Sequence, residues 1–178
     1  MLTSCAKDEV QAYRVPKEIA DPSLTAPASA GSASSGTSDL VWSAPDHWVE
    51  KPGSGMRRSS FTLTDADGAT ADLSIISFPG DVGGLTANIN RWRGQISLPP
   101  LSEVDAEATI EHIDTPTFHV DFVDYLGTAN DVPTRIVGAI LHHGDQSVFF
   151  KLMGPASLVE AETANFRAFI QTIAPVTP

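Results

Sequence analysis

Asn88, Asn90, Arg91, Arg93 and Gln95 crowd around Trp92 in one short segment, the densest polar cluster of the chain. Guanidinium groups grip carboxylates, and Arg and Trp are the side chains that most often anchor protein contacts. If the segment is helical with Trp92 on the core, Asn88, Arg91 and Gln95 fall on one neighbouring face at spacings of three and four, with Arg93 further round. Asn88, Asn90, Arg91, Trp92, Arg93 and Gln95 are therefore a candidate partner-binding surface. The competing reading is structural: the arginines offset the chain's own carboxylates, and the asparagines cap the glycine-rich loop that precedes them.

The five histidines raise the question of a metal. His142 and His143, with Asp145, stand where a hairpin tip is expected, but neighbouring strand residues point to opposite faces and do not share an ion without a bulge. His112 and His119 can meet across adjacent strands. There is no His-x-x-x-His, no second cysteine and no dense carboxylate loop, so neither metal nor cofactor is assigned. Catalytic signatures are missing as well: no Gly-x-Ser-x-Gly elbow, no phosphate loop ending in Gly-Lys-Ser/Thr, no Cys-x-x-Cys-His, and Asp121 and Asp124 lack paired acid–base logic. The expectation is a non-enzyme.

The single cysteine, Cys5, has no internal disulfide partner. Leu2-Thr3-Ser4-Cys5 resembles a bacterial lipobox, in which a signal peptidase cuts before the cysteine and its thiol takes a diacylglycerol anchor. The charged and apolar stretches of a signal peptide do not stand ahead of it, so the numbering is expected to start inside the signal or from a start codon assigned too late. Tyr13 and Arg14, in Tyr13-Arg14-Val15-Pro16-Lys17, are richer than a linker needs and form a candidate docking segment. From Asp21 to Asp39 nearly every residue is Ser, Ala, Thr, Pro or Gly. Such a stretch buries too little apolar surface to offset its ordering entropy and is expected to be a flexible or extended tether, reaching on the order of 30–35 Å for about 35 residues.

The remaining elements must position these groups. With 178 residues, the chain has room for one domain and a tail, expected as residues 1–40 (lipobox and linker) and 41–176 (domain). A net charge of −11 and a pI near 4.6 argue against nucleic acid and anionic headgroups, which select basic faces. Trp42 and Trp48, spaced around Pro45, are expected to lay two indoles over one end of a sheet. Met56 to Leu63 alternates as a strand, Asp67-Gly68 marks a hairpin, and Ala71, Leu73 and Ile75 line one face of the return. Leu85, Ile89, Trp92 and Ile96 recur at helical spacing after a loop with three glycines. Ser102 with Asp105 caps a short helix to about Ala108. Strands follow at Ile110–Ile113, around Phe118, Val120 and Phe122, at Arg135–His142 and at Val148–Met153, the last two joined across residues 143–146. Leu158, Phe166, Phe169, Ile170 and Ile173 trace a terminal helix with one apolar stripe. Strands grouped apart from helices give an α+β fold with a central antiparallel sheet flanked by helices.

This arrangement resembles the PsbP-like fold, an α/β/α sandwich, through the N-terminal strand pair, the helix around Asn88-Ile89-Asn90-Arg91-Trp92, and Val148-Phe149-Phe150-Lys151-Leu152-Met153-Gly154-Pro155 running into Phe166-Arg167-Ala168-Phe169-Ile170. Gly83 to Gln95 is also similar to a Gly-Gly-x-x-x-Asn-x-Asn-Arg-Trp-Arg-x-Gln segment of uncharacterised bacterial lipoproteins. These resemblances imply a periplasmic, lipid-anchored accessory subunit docked on a membrane protein complex, a photosynthetic reaction centre or a respiratory redox complex. The alternative is a free periplasmic domain binding a small ligand. A docking subunit should expose a surface rich in Trp, Arg and Tyr; a ligand binder should enclose a cavity.

Overall fold

The computed structural model describes residues 40–176. Cys5, Tyr13, Arg14 and the Ser/Ala/Pro/Gly stretch up to Asp39 lie outside the described residues. The elements run β1 (Leu40–Val41), β2 (Val49–Ser54), β3 (Arg57–Thr64), β4 (Thr70–Pro79), α1 (Gly84–Gln95), α2 (Glu103–Glu107), β5 (Glu111–Asp114), β6 (His119–Ala129), β7 (Val132–His143), β8 (Gln146–Pro155), α3 (Ala156–Gln171) and β9 (Ala174–Pro175). Seven strands form one sheet in the order β2-β3-β4-β8-β7-β6-β5, every neighbouring pair antiparallel, and β1 pairs with β9 beside it. Helix α3 covers one face, and α1 and α2 cover part of the other.

Alternation along each strand divides the core in two. Phe61, Leu63, Leu73, Ile75, Phe122, Val137, Phe150 and Leu152 point towards α3 and meet Leu158, Val159, Phe166, Phe169 and Ile170. Val123, Tyr125, Ile136, Ile140 and Phe149 point the other way and meet Ile89, Trp92 and Ile96 of α1 and Ala106 of α2. The two expected indoles do lie together at the α3 end, Trp48 5.5 Å from the Phe169 ring and Trp42 6.3 Å from Phe150.

Local chemistry explains the joins. The Asp65 carboxylate accepts from the backbone N–H of Asp67 and Ala69, closing the β3–β4 hairpin around Gly68, whose φ of 84° suits a residue without Cβ. Ser102 caps α2 by accepting from Asp105 N–H. Asn130 and Asp131, with φ of 51° and 64°, make the two-residue turn between β6 and β7.

One carboxylate pins the N-terminal arm to α3. Glu162 accepts from the Trp48 indole N–H at 3.0 Å and from Asn165 at 2.9 Å, and its two oxygens lie 3.0 and 3.1 Å from His47 Nε2. Burial pushes the Glu162 carboxyl up, but the bonds from Asn165, Trp48 and His47 outweigh that and hold it below the ordinary carboxylate range. A carboxyl depressed in the folded state contributes stability that is present above its unfolded pKa, about 4.3, and is lost as pH falls through the folded value. Glu162→Gln is therefore expected to flatten the acid limb of stability. Urea midpoints measured from about pH 5 downward should fall less steeply in the variant than in the wild type.

Candidate functional site

The polar cluster around Trp92 is spent mostly inside the chain. Asn88 is buried and its amide donates to the carbonyls of Val82 and Gly84 at 2.8 Å, clasping the glycine-rich loop to α1, while Arg91 donates to Asn88 Oδ1 at 2.5 Å. Asn90 holds Leu101 by both backbone groups, donating to its carbonyl at 2.9 Å and accepting its N–H at 2.8 Å. Arg93 is buried too, donating through Nε to the Pro99 carbonyl and lying 4.9 Å from the centre of the Tyr125 ring. Trp92 packs over Gly138 and edge-on to Phe149. Of the six candidates, Arg91 and Gln95 keep exposed side chains. The segment therefore positions α1 and the connection to α2.

That role makes a prediction. Asn90→Ala removes two hydrogen bonds and leaves both backbone groups of Leu101 without their side-chain partner, which should cost about 2 kcal/mol in urea unfolding. Asn90→Asp keeps the acceptor for Leu101 N–H and should recover part of the loss.

Among the described residues the surface rich in Trp, Arg and Tyr expected of a docking subunit lacks its aromatic members, since Trp48, Trp92 and Tyr125 are buried and Trp42 is half-buried, while Arg91 is exposed. What the sheet offers instead is a cleft beside the C-terminal end of α1. Its volume is about 370 Å³ and it opens to solvent. Asp72 of β4, Ala129 and Asn130 at the end of β6, Val132 and Thr134 of β7, and Lys151, Met153, Gly154 and Pro155 of β8 line it. Thr134 pairs with Pro155, and Asp72 with Met153, so four strands deliver these groups in fixed register.

Lys151 is the group with chemical reach. Its Nζ donates to Gln95 Oε1 at 2.7 Å, so the exposed end of the α1 segment borders the cleft. Burial pushes the ammonium down, Asp72 works against that, and Arg57 adds to it. Arg57 in turn sits 3.3 Å from Asp72. A partly desolvated cation beside Met153, Val132 and Pro155 suits a partner that brings one acidic group and apolar contacts.

Among the described residues a buried hydroxyl meets a histidine and a backbone carbonyl. Ser147 is buried, its hydroxyl is 2.8 Å from the Gly80 carbonyl, to which it donates, and 3.1 Å from His142 Nδ1. His112 and His119, expected to meet across strands, do so with stacked rings 5.1 Å apart. His142 and His143 do not join them in one cluster of ligand atoms.

No protein-family model matches the chain, and no curated protein sequence matches it. Solved structures do. A crystal structure of LpqN, involved in cell envelope biogenesis of Mycobacterium tuberculosis, is similar over 83% of this chain and 88% of its own, with a TM-score of 0.56 and 11% identity. A Bacteroides thetaiotaomicron protein is similar over 78% of this chain, with a TM-score of 0.49 and 14% identity, and the match spans 46% of that protein's length. The cyanobacterial PsbP of Synechocystis sp. PCC 6803 is similar over 82% of this chain and 98% of its own, with a TM-score of 0.47 and 13% identity. At 11% identity the LpqN likeness is one of fold, an antiparallel sheet packed by helices.

Proposed function

We propose that the chain is a non-catalytic accessory subunit, held by lipid at Cys5 on the extracytoplasmic side of a membrane, whose folded domain docks on a membrane protein complex through the cleft beside α1. The observation that carries the reading is the cleft itself: an open, rigidly registered hollow with a half-buried lysine among apolar side chains. Such a lining suits one protruding acidic and apolar feature of a protein partner better than a small molecule that must be enclosed on most sides. The envelope role of the structurally similar LpqN fits an extracytoplasmic setting. A photosynthetic or respiratory complex is the partner that the sequence resemblance favours. Tyr13 and Arg14 would add a second contact, and tethering at Cys5 would raise the local concentration of the domain at the membrane.

Gentle detergent extraction of native membranes, with a tag on the C-terminus, tests the reading. The chain should elute in stoichiometric ratio with one membrane complex, mass analysis should find the Cys5 peptide lipidated, and Cys5→Ala should release the protein to the soluble fraction. A lone, unlipidated, water-soluble protein would overturn it.

A further inference from the structure

At the β5–β6 edge the register sets His112 opposite Asp121 and Asp114 opposite His119. Alternation puts all four on one face, since Glu111, from the other parity, turns to α3 and bonds Arg167 there at 2.6 and 2.8 Å. Asp121 Oδ1 lies 2.9 Å from His112 Nδ1, and Asp114 Oδ1 lies 2.8 Å from His119 Nδ1. The Asp114 carboxylate on Nδ1 of His119 selects the tautomer that leaves Nε2 of that ring with its lone pair, the arrangement that orients metal-bound histidines. Glu107 of α2 then brings a third carboxylate, Oε1 3.7 Å from His112 Nε2. Glu107 is placed to orient the His112 ring from its Nε2 side, which leaves His112 Nδ1 and Asp121 Oδ1 as the pair that an ion would bridge.

The remaining geometry agrees. One ring nitrogen of each histidine and one oxygen of Asp121 all lie within 4.8 Å of one another. Tetrahedral coordination at about 2.0–2.1 Å asks for ligand atoms roughly 3.3–3.5 Å apart, and the exposed rings of His112 and His119 can close the difference by side-chain rotation. Among the described residues, the side-chain contacts of Glu107, Asp114 and Asp121 within 4 Å of a basic group are with these two imidazoles and not with an arginine or lysine. Mixed imidazole and carboxylate donors suit zinc, copper or nickel; calcium and magnesium prefer oxygen alone.

We propose that His112, His119 and Asp121, supported by Asp114 and Glu107, form a surface site for a divalent transition metal of the zinc class, on the β5–β6 edge and separate from the cleft. Three protein ligands leave a position open to water. Calorimetric titration of the full, chelator-treated chain with zinc alone tests it. One zinc per chain is expected, with affinity falling at least about 10-fold in each of His112→Gln, His119→Gln and Asp121→Asn. Cys5→Ser and His142→Gln, which change other metal-binding side chains, should leave the titration unchanged. Circular dichroism of each metal-free variant should match the wild type, because His112 and His119 are exposed and Asp121→Asn keeps the shape of the half-buried side chain. No saturable binding, binding that survives His112→Gln with His119→Gln, or binding abolished by Cys5→Ser would each overturn the proposal.

Discussion

Gly138→Ala is expected to destabilise the domain by about 3 kcal/mol, the upper part of the usual range for overpacking. A Cβ on Gly138 would lie 2.1 Å from Cζ3 of Trp92 and 2.8 Å from two further ring atoms. Trp92 has little room to withdraw, since it is buried and wedged edge-on against Phe149. The glycine is needed for space: it is the flat patch on β7 on which α1 lies. Trp92→Leu alone leaves a cavity and should also cost several kcal/mol. In the double variant the alanine has somewhere to go, so the two losses should fall short of additivity by more than about 1 kcal/mol. Urea midpoints of the four proteins check this.

Phe169→Ala is expected to cost about 4 kcal/mol. The ring meets Trp42, Trp48, Phe61, Phe150 and Phe166 at centroid distances of 5.5 to 6.5 Å, so its loss opens the α3 layer where the N-terminal arm, the sheet and α3 converge. By contrast Val132→Asp, at a cleft residue 53% exposed, should change stability by no more than about 0.5 kcal/mol. Thermal unfolding of both variants separates the layer that holds the fold from the surface assigned to docking.

The fold was legible wherever burial imposes a period. The α1 and α3 stripes, the Asp67-Gly68 hairpin, the β7–β8 pair and the Ser102 cap stand in the sequence because each has one buried face or one obligatory turn residue. Strand β2 escaped because all six of its residues are exposed and it carries Pro52 and Gly53, as a protected sheet edge does. The Asn130-Asp131 turn escaped because it makes its positive φ angles without glycine. Within the polar cluster, spacing correctly grouped Asn88 with Arg91. It could not show that Asn90 reaches Leu101 or that Arg93 folds back on Pro99, since those partners are loop carbonyls placed by tertiary structure. The cleft was not legible at all, because its lining comes from the ends of four strands far apart in sequence. His112 and His119 were half-legible: alternation puts them on one face, and only the register brings in Asp121 and Asp114.

Site-specific photo-crosslinking in intact cells tests docking through the cleft most directly. A photoreactive residue at Val132 or Asn130 should join the chain to one component of a membrane complex, with the same residue at Asp46, beside α3, giving no such product. Lys151→Met, which keeps the apolar stem and removes the ammonium, should suppress the Val132 product without lowering thermal stability by more than about 1 kcal/mol. Equal crosslinking from Val132 and Asp46, or none from the cleft while the chain remains membrane-bound, would contradict the account.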